Sequence, residues 1–587
     1  MNVKLWAPNA NRAQVVIVDP LAPGTILECP LTEAELCGAR LKDMRPAGDG
    51  YFVTELAAGT NYLLSIDGHQ PLPDPRSAAQ PWGVHGPSQV FDPAKYRWRD
   101  ENWSGAKVLG DVIYELHIGT FTPTGTLDAA IDKLDYLVEL GVKTVELMPV
   151  ACFPGERGWG YDGVYWYGVQ ESYGGPAALQ RFVDAAHQRG LAVCLDVVYN
   201  HFGPAGNYAP TFAPYLTHKY QTPWGDAINL DDAGSQGVRA FIIEAALRWL
   251  RDFHIDALRL DAVHALIDHS DTHILAELSQ AVDTLEKQLG KAFTLIAESD
   301  LNQPKLVAPR AEGGLGIDGQ WDDDIHHALH SYLTQETFGY YVDFGDPATL
   351  AKAVTSVFVH DGSYSTFREQ LWGAKVADQV DRSRFVIFTQ NHDQVGNRGQ
   401  GDRPEEKLPS GASAAGAALV LLSPYTPMLF QGQEWASQGR FQFFTDHDEK
   451  LGQAVSQGRL EEFSSHGWEE IYGQNHEVPD PQNEQTFLDS KLDWDELEGQ
   501  DHQEMLNWYR RLIQLRDQLK PAGLPEVDYG EDWLRMRCNN FTVVICPGDR
   551  SATLPQAKAE ILALWGKAAF QGDTLSIGAN SAVVLAG

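Results

Sequence analysis

Eight short apolar runs lie between Asp111 and about Lys520, and segments with helical spacing separate them, an alternation that very few folds accommodate. The runs are VIYELHIGTF, TVELMPV, LAVCLDVVYNH, DALRLDAV, FTLIAES, GIDGQWDDD, RFVIFTQNHD and PMLFQGQEW. Between the first two, Leu127, Ala130, Ile131, Leu134, Leu137 and Val138 recur at helical spacing, with Thr126 placed as an N-cap and Gly141 just past the end. The stretches PAALQRFVDAAHQRG, VRAFIIEAALRWLRDF and THILAELSQAVDTLEKQLG continue the pattern. Such alternation builds either an open doubly wound sheet or a closed (β/α)8 barrel, and eight strands favour the barrel.

The flanks read differently. VKLWAP, AQVVIV, YFVTEL and NYLLSID near the start, and WLRMRC, FTVVIC, AEILALW and SAVVLAG near the end, are short β-branched and aromatic runs broken by turn residues. The expected class is therefore α/β: a TIM barrel over 108–520, an N-terminal β-sandwich over 1–90 and a C-terminal β-sandwich over 525–587. The Pro- and Gly-rich stretch from Pro71 to Pro87 makes the first boundary. A chain of 587 residues exceeds what one core usually serves, which also calls for several domains.

A formal net charge of -35 would repel nucleic-acid phosphates and anionic lipid surfaces, so neither is an expected partner and a neutral ligand is. No run approaches a membrane span and the first residues lack a signal-peptide core, which points to the cytoplasm. Cys29, Cys37, Cys152, Cys194, Cys538 and Cys546 are scattered without a C-x-x-C pair, as reduced thiols are, and no structural metal or cofactor is expected.

In a barrel, side chains at the C-terminal ends of the strands converge on one site. Four of the runs end in reactive chemistry: Asp196, Asn200 and His201; Arg259 and Asp261; Glu298; and His392 with Asp393. Because side chains alternate along a strand, Leu258 and Leu260 face the helices while Arg259 and Asp261 face the axis. There the guanidinium would hold Asp261 ionised, as a nucleophile requires. Glu298 follows an apolar run, and partial desolvation would suit it to general acid work. Two carboxyls with divided roles are the usual equipment for breaking a glycosidic bond. Trp159, Tyr161, Trp166, Tyr167, Trp224, Trp321 and Tyr341 lie in candidate loops as sugar platforms, Tyr161 foremost.

The stretches DVVYNH, ALRLDAV, IAESD and QNHD, in this order, resemble the four conserved stretches of the α-amylase family of glycoside hydrolases. The resemblance implies a retaining α-glucan-cleaving enzyme with Asp261 as nucleophile, Glu298 as proton donor and Asp393 as transition-state stabiliser. It implies that Arg259, His201 and His392 surround the bound glucose and that Asp196 supports them. PDPRSAAQPWGVHGPS, GYDGVYWYGVQESYGGP, FHIDALRLDAVHAL, QWDDDIHHALH and QNHDQVGNR are similar to the branch of that family acting on maltooligosyltrehalose. By that likeness His264, Asp323, Asp324, His326, His327, Asn391 and Gln394 line a pocket for the terminal disaccharide, and trehalose is the product. Gln433 departs from the family, where an acidic residue is more common. Glycogen branching or debranching, with the same three carboxylates, is the alternative activity. A non-catalytic glucan-binding protein is the alternative of another class.

Overall fold

The computed structural model describes residues 1–22, 24–463, 477–519 and 523–587. Eight parallel strands close a barrel in chain order: β1 (Ile113–Leu116), β2 (Thr144–Leu147), β3 (Ala192–Val197), β4 (Ala257–Leu260), β5 (Thr294–Ala297), β6 (Gly319–Trp321), β7 (Phe385–Phe388) and β8 (Thr426–Phe430). The last strand pairs with the first, Leu429 opposite Tyr114, so no edge is left open.

The alternation expected on these strands is present. Ala257 joins Ile113, Cys194, Ile296, Trp321, Val386 and Met428 in the packed interior, while Leu258 and Leu260 join the layer between strands and helices. That layer holds Leu179, Phe182 and Val183 from the helix Gly175–Gln188 and Phe241, Ile242 and Trp249 from Ser235–Asp252. Each fully buried Leu, Phe or Val stabilises the fold by roughly 1.5–3 kcal/mol relative to exposure, so this double layer is the main source of rigidity for the strand ends.

Two local differences from the sequence reading have clear causes. The first apolar run leaves the sheet at Leu116, because the chain turns at His117, whose N–H donates to Gln431 Oε1, and Ile118–Phe121 coils into a helical turn. The helix expected after Thr126 is two, Leu127–Ile131 and Leu134–Leu140; Thr126 does cap the first, accepting from the Ala129 N–H, and Gly141 ends the second at φ 101°.

Near the N-terminus Asn2–Trp6 pairs with Tyr51–Glu55, and Ala13–Val18 lies between Arg40–Asp43 and Asn61–Ile66 in a second sheet. Val3, Leu5, Val15, Phe52 and Leu64 fill the space between them. At the other end a five-stranded sheet runs Glu526–Tyr529, Leu534–Cys538, Phe541–Cys546, Ser581–Ala586 and Ile561–Trp565, and packs through Val544 and Val583 on a three-stranded sheet. Among the described residues no helix is long and apolar enough to cross a membrane.

Candidate active site

Arg259 is the hub of the carboxylates at the barrel's C-terminal face. It projects from β4 and is fully buried, with its Cζ 4.2 Å from the centre of the Trp321 ring. Its Nη1 donates to both oxygens of Asp196 (2.9 and 2.8 Å) and to Asp261 Oδ1 (2.8 Å), and its Nη2 lies 3.0 Å from Glu298 Oε2. A buried guanidinium cannot lose its proton and matches carboxylate geometry, so one cation gathers three carboxyl groups around it. Asp261 Oδ2 accepts from Asn200 Nδ2 at 2.7 Å, and Asn200 is held in turn by His201 Nδ1.

The turn after Asp261 carries strain. Ala262 sits at φ 39°, in the left-handed region that a Cβ disfavours, and this aims its N–H at Glu298 Oε2, 2.6 Å away. Glu298 Oε1 has no partner among the described residues.

A second chain of contacts runs through Tyr161. Its hydroxyl donates to Asp196 Oδ2 (2.6 Å) and accepts from His392 Nε2 (2.7 Å), and its ring lies stacked on His392 with centroids 5.1 Å apart. His392 Nδ1 donates to Glu115 Oε1 at 2.6 Å, and Asp393 Oδ1 lies 3.5 Å from Nε2. Burial alone would lower the His392 pKa, but the charges of Asp393 and Glu115 outweigh it and raise the group from 6.5 to about 9. At neutral pH the ring is a cation between carboxylates. Because the folded-state value is the higher one, this pairing stabilises the protein fully below about pH 6.5 and is lost as pH rises through about 9. Activity is expected to fall on the alkaline side with an apparent pKa near 9, and His392→Gln, assayed from pH 6 to 10, is expected to be less active throughout and to lack that limb.

Asp393 does not end a strand. It sits in the first turn of the short helix His392–Gly396, which Asn391 caps by accepting from the Gln394 N–H (2.7 Å). With Gln394, His327, Asp300, Phe338, Tyr340, Tyr341, Phe367 and Arg368 it lines a cavity of about 470 Å³. Asp323 belongs with this group: Gln394 Nε2 is 3.3 Å from its Oδ1, and burial, then Glu298 and Asp393, push its pKa up to about 7. Burial lowers His327 to about 3, which leaves its ring neutral against Tyr340 and Tyr341. His264 stands at the margin, 3.8 Å from Asp300.

Three residues expected in that pocket are in its wall instead. Asp324 is buried and spends Oδ2 on Asn302 Nδ2 and the N–H groups of Val359 and His360. His326 is buried on the inner face of its helix, stacked on His330 and close to Phe388. Asn391 is occupied as the helix cap, which orients Asp393 and Gln394 rather than reaching into the cavity. Among the aromatic candidates Trp166 stacks on Phe202 and Tyr167 bonds the Phe241 carbonyl, both in the core, whereas Trp224 is half exposed and lies parallel to the His201 ring at 4.6 Å. Gln433 is satisfied as an amide: Nε2 donates to Thr389 Oγ1 and Tyr509 OH, and Oε1 accepts from the Phe430 N–H.

Sequence reasoning missed Glu115 and Glu146, although a carboxylate inside an apolar strand, as in IYEL and TVEL, is the available signal. The two are paired in register on β1 and β2. Burial, with Glu115 and Asp196 nearby, raises Glu146 to about 8, so it is held protonated at neutral pH. Asp300, Phe367 and Arg368 were also missed.

The description "Alpha amylase, catalytic domain" matches residues 93–220. The chain is 50% identical over 530 residues to malto-oligosyltrehalose trehalohydrolase of Arthrobacter ramosus, covering 90% of this chain and 89% of that one. It is 48% identical over 530 residues to the enzyme of that name from a Rhizobium strain, covering 88% of each. A crystal structure from Salmonella typhimurium, described as a candidate alpha amylase, superposes with a TM-score of 0.87 at 36% identity over 100% of this chain and 97% of that one. With the barrel, its carboxylate cluster and this degree of identity, the chain belongs to the malto-oligosyltrehalose trehalohydrolase family of the α-amylase fold.

Proposed function

We propose that the protein is a retaining glycoside hydrolase that cuts the α-1,4 bond next to the trehalose unit at the end of maltooligosyltrehalose, releasing trehalose. The observation that carries the chemistry is the placement of Asp261 and Glu298 on the two arms of one buried guanidinium, at the ends of adjacent strands. A retaining mechanism needs two carboxyls roughly 5–5.5 Å apart, and neighbouring strands, about 4.8 Å apart, support that spacing.

In this reading Asp261 attacks the anomeric carbon and forms a glycosyl ester, while Glu298 gives its proton, carried on Oε1, to the departing oxygen of trehalose. Glu298, now a carboxylate, takes a proton from water; the hydroxide formed breaks the ester and frees Asp261. Asn200 and Arg259 each fix one oxygen of Asp261, and Asp393 grips hydroxyls of the distorted sugar. Tyr161, stacked on His392, offers the apolar face beneath it. His201, Asp196, His264, Asp323, His327 and Gln394 complete the substrate contacts. The six unpaired cysteines support a cytoplasmic setting, and the flanking sheets support treating 1–90, 108–520 and 525–587 as separate domains.

Product chromatography tests the reading. With maltotriosyltrehalose the expected products are trehalose and maltotriose, with slow action on maltopentaose and glycogen. New or lost α-1,6 branches in glycogen, without trehalose release, would instead indicate a branching or debranching enzyme.

A further inference from the structure

Asp300 lies two residues beyond the proposed general acid, on the loop that follows β5, and contacts a neighbouring hairpin and His264 at the cavity. Its Oδ2 is 3.1 Å from Arg368 Nη2, its backbone carbonyl accepts from Trp372 Nε1 at 2.8 Å, and its Oδ1 faces His264 at 3.8 Å. Arg368 and Trp372 belong to a hairpin, Ser363–Ser365 paired with Gln370–Trp372, whose turn carries Phe367 and Arg368 into the cavity lining. The guanidinium is held from two directions, with its Cζ also 4.7 Å from the centre of the Trp372 ring. Its Nε and Nη1 have no partner among the described residues.

The leaving group departs on the side of the acid that protonates it, so the trehalose half belongs where Asp300, Arg368 and Phe367 converge. We infer that Asp300 is a specificity-determining positioning residue: it fixes Arg368 in the one orientation that presents its free N–H groups to the hydroxyls of the leaving disaccharide. This rests on the trehalose-releasing reading and names a residue behind its selectivity. The physical reason is directional. An arginine side chain left loose must give up considerable rotamer freedom on binding, whereas one already held between a carboxylate and an indole gives up little. A partly exposed ion pair of this kind adds little to stability, so its main effect is on binding.

The test compares wild type, Asp300→Asn and Asp300→Glu on maltotriosyltrehalose and on maltopentaose, with thermal unfolding as the control for folding. Because the Trp372 bond goes to the backbone carbonyl, Asp300→Asn keeps that anchor and is expected to melt within about 3 °C of wild type. Its kcat/KM ratio for the trehalose-ended substrate over maltopentaose is expected to fall roughly 10- to 100-fold, mostly through KM, with partial recovery in Asp300→Glu. An unchanged ratio, or equal losses on both substrates, would overturn the inference while leaving the function intact. Wild type that releases no trehalose would overturn the functional reading and this inference with it.

Discussion

Asp261→Asn is expected to lose turnover by roughly 10⁴-fold or more while still folding and binding glucan. An amide cannot form the glycosyl ester. Folding survives because Arg259 keeps its contacts with Asp196 and Glu298. Some stability is lost all the same: Asp261 accepts from donors on both oxygens, Arg259 Nη1 and Asn200 Nδ2, and an asparagine meets one of them with its own NH2. That mismatch costs about 1–3 kcal/mol and is readable by thermal unfolding. Rapid-quench assays measure the turnover and titration calorimetry the retained binding; near-wild-type turnover would remove Asp261 from the role of nucleophile.

Glu298→Gln should separate the two steps. On maltotriosyltrehalose, whose leaving oxygen needs a proton, the loss should be on the order of 10²–10⁴-fold. On an α-maltooligosyl fluoride the first step needs no acid, so a burst of fluoride should persist and then stall for lack of a base to activate water. Azide, which attacks without deprotonation, should restart turnover and leave an α-glycosyl azide. A variant equally impaired on both substrates and unresponsive to azide would contradict the acid/base role.

The barrel was legible because its strands are short apolar runs and its helices keep helical spacing, so Leu258 and Leu260 declare one face and Arg259 with Asp261 the other. The positions of Asp261 and Glu298 were legible for the same reason, both standing just past the ends of β4 and β5, whereas Asp393 lies in a short helix that the strand pattern does not show. What stayed hidden is what depends on contacts remote in sequence. Glu115 meets His392 across 277 positions, and Arg368 meets Asp300 across 68. Nor does an acid-rich helix start show which face is inward: in the run Asp322–Asp324, Asp322 caps its helix, Asp323 lies near Glu298 and Asp393, and Asp324 serves the backbone of 359–360.

The central claim, a retaining cut at the trehalose end, is tested most directly by proton NMR of the first minutes of maltotriosyltrehalose hydrolysis by the wild-type protein. The account predicts trehalose and maltotriose in equal amounts, the new reducing end of maltotriose appearing first as the α-anomer and only later equilibrating. A β-anomer at first would contradict retention and the nucleophile assigned to Asp261; glucose or maltose in place of trehalose would contradict the bond it is said to choose.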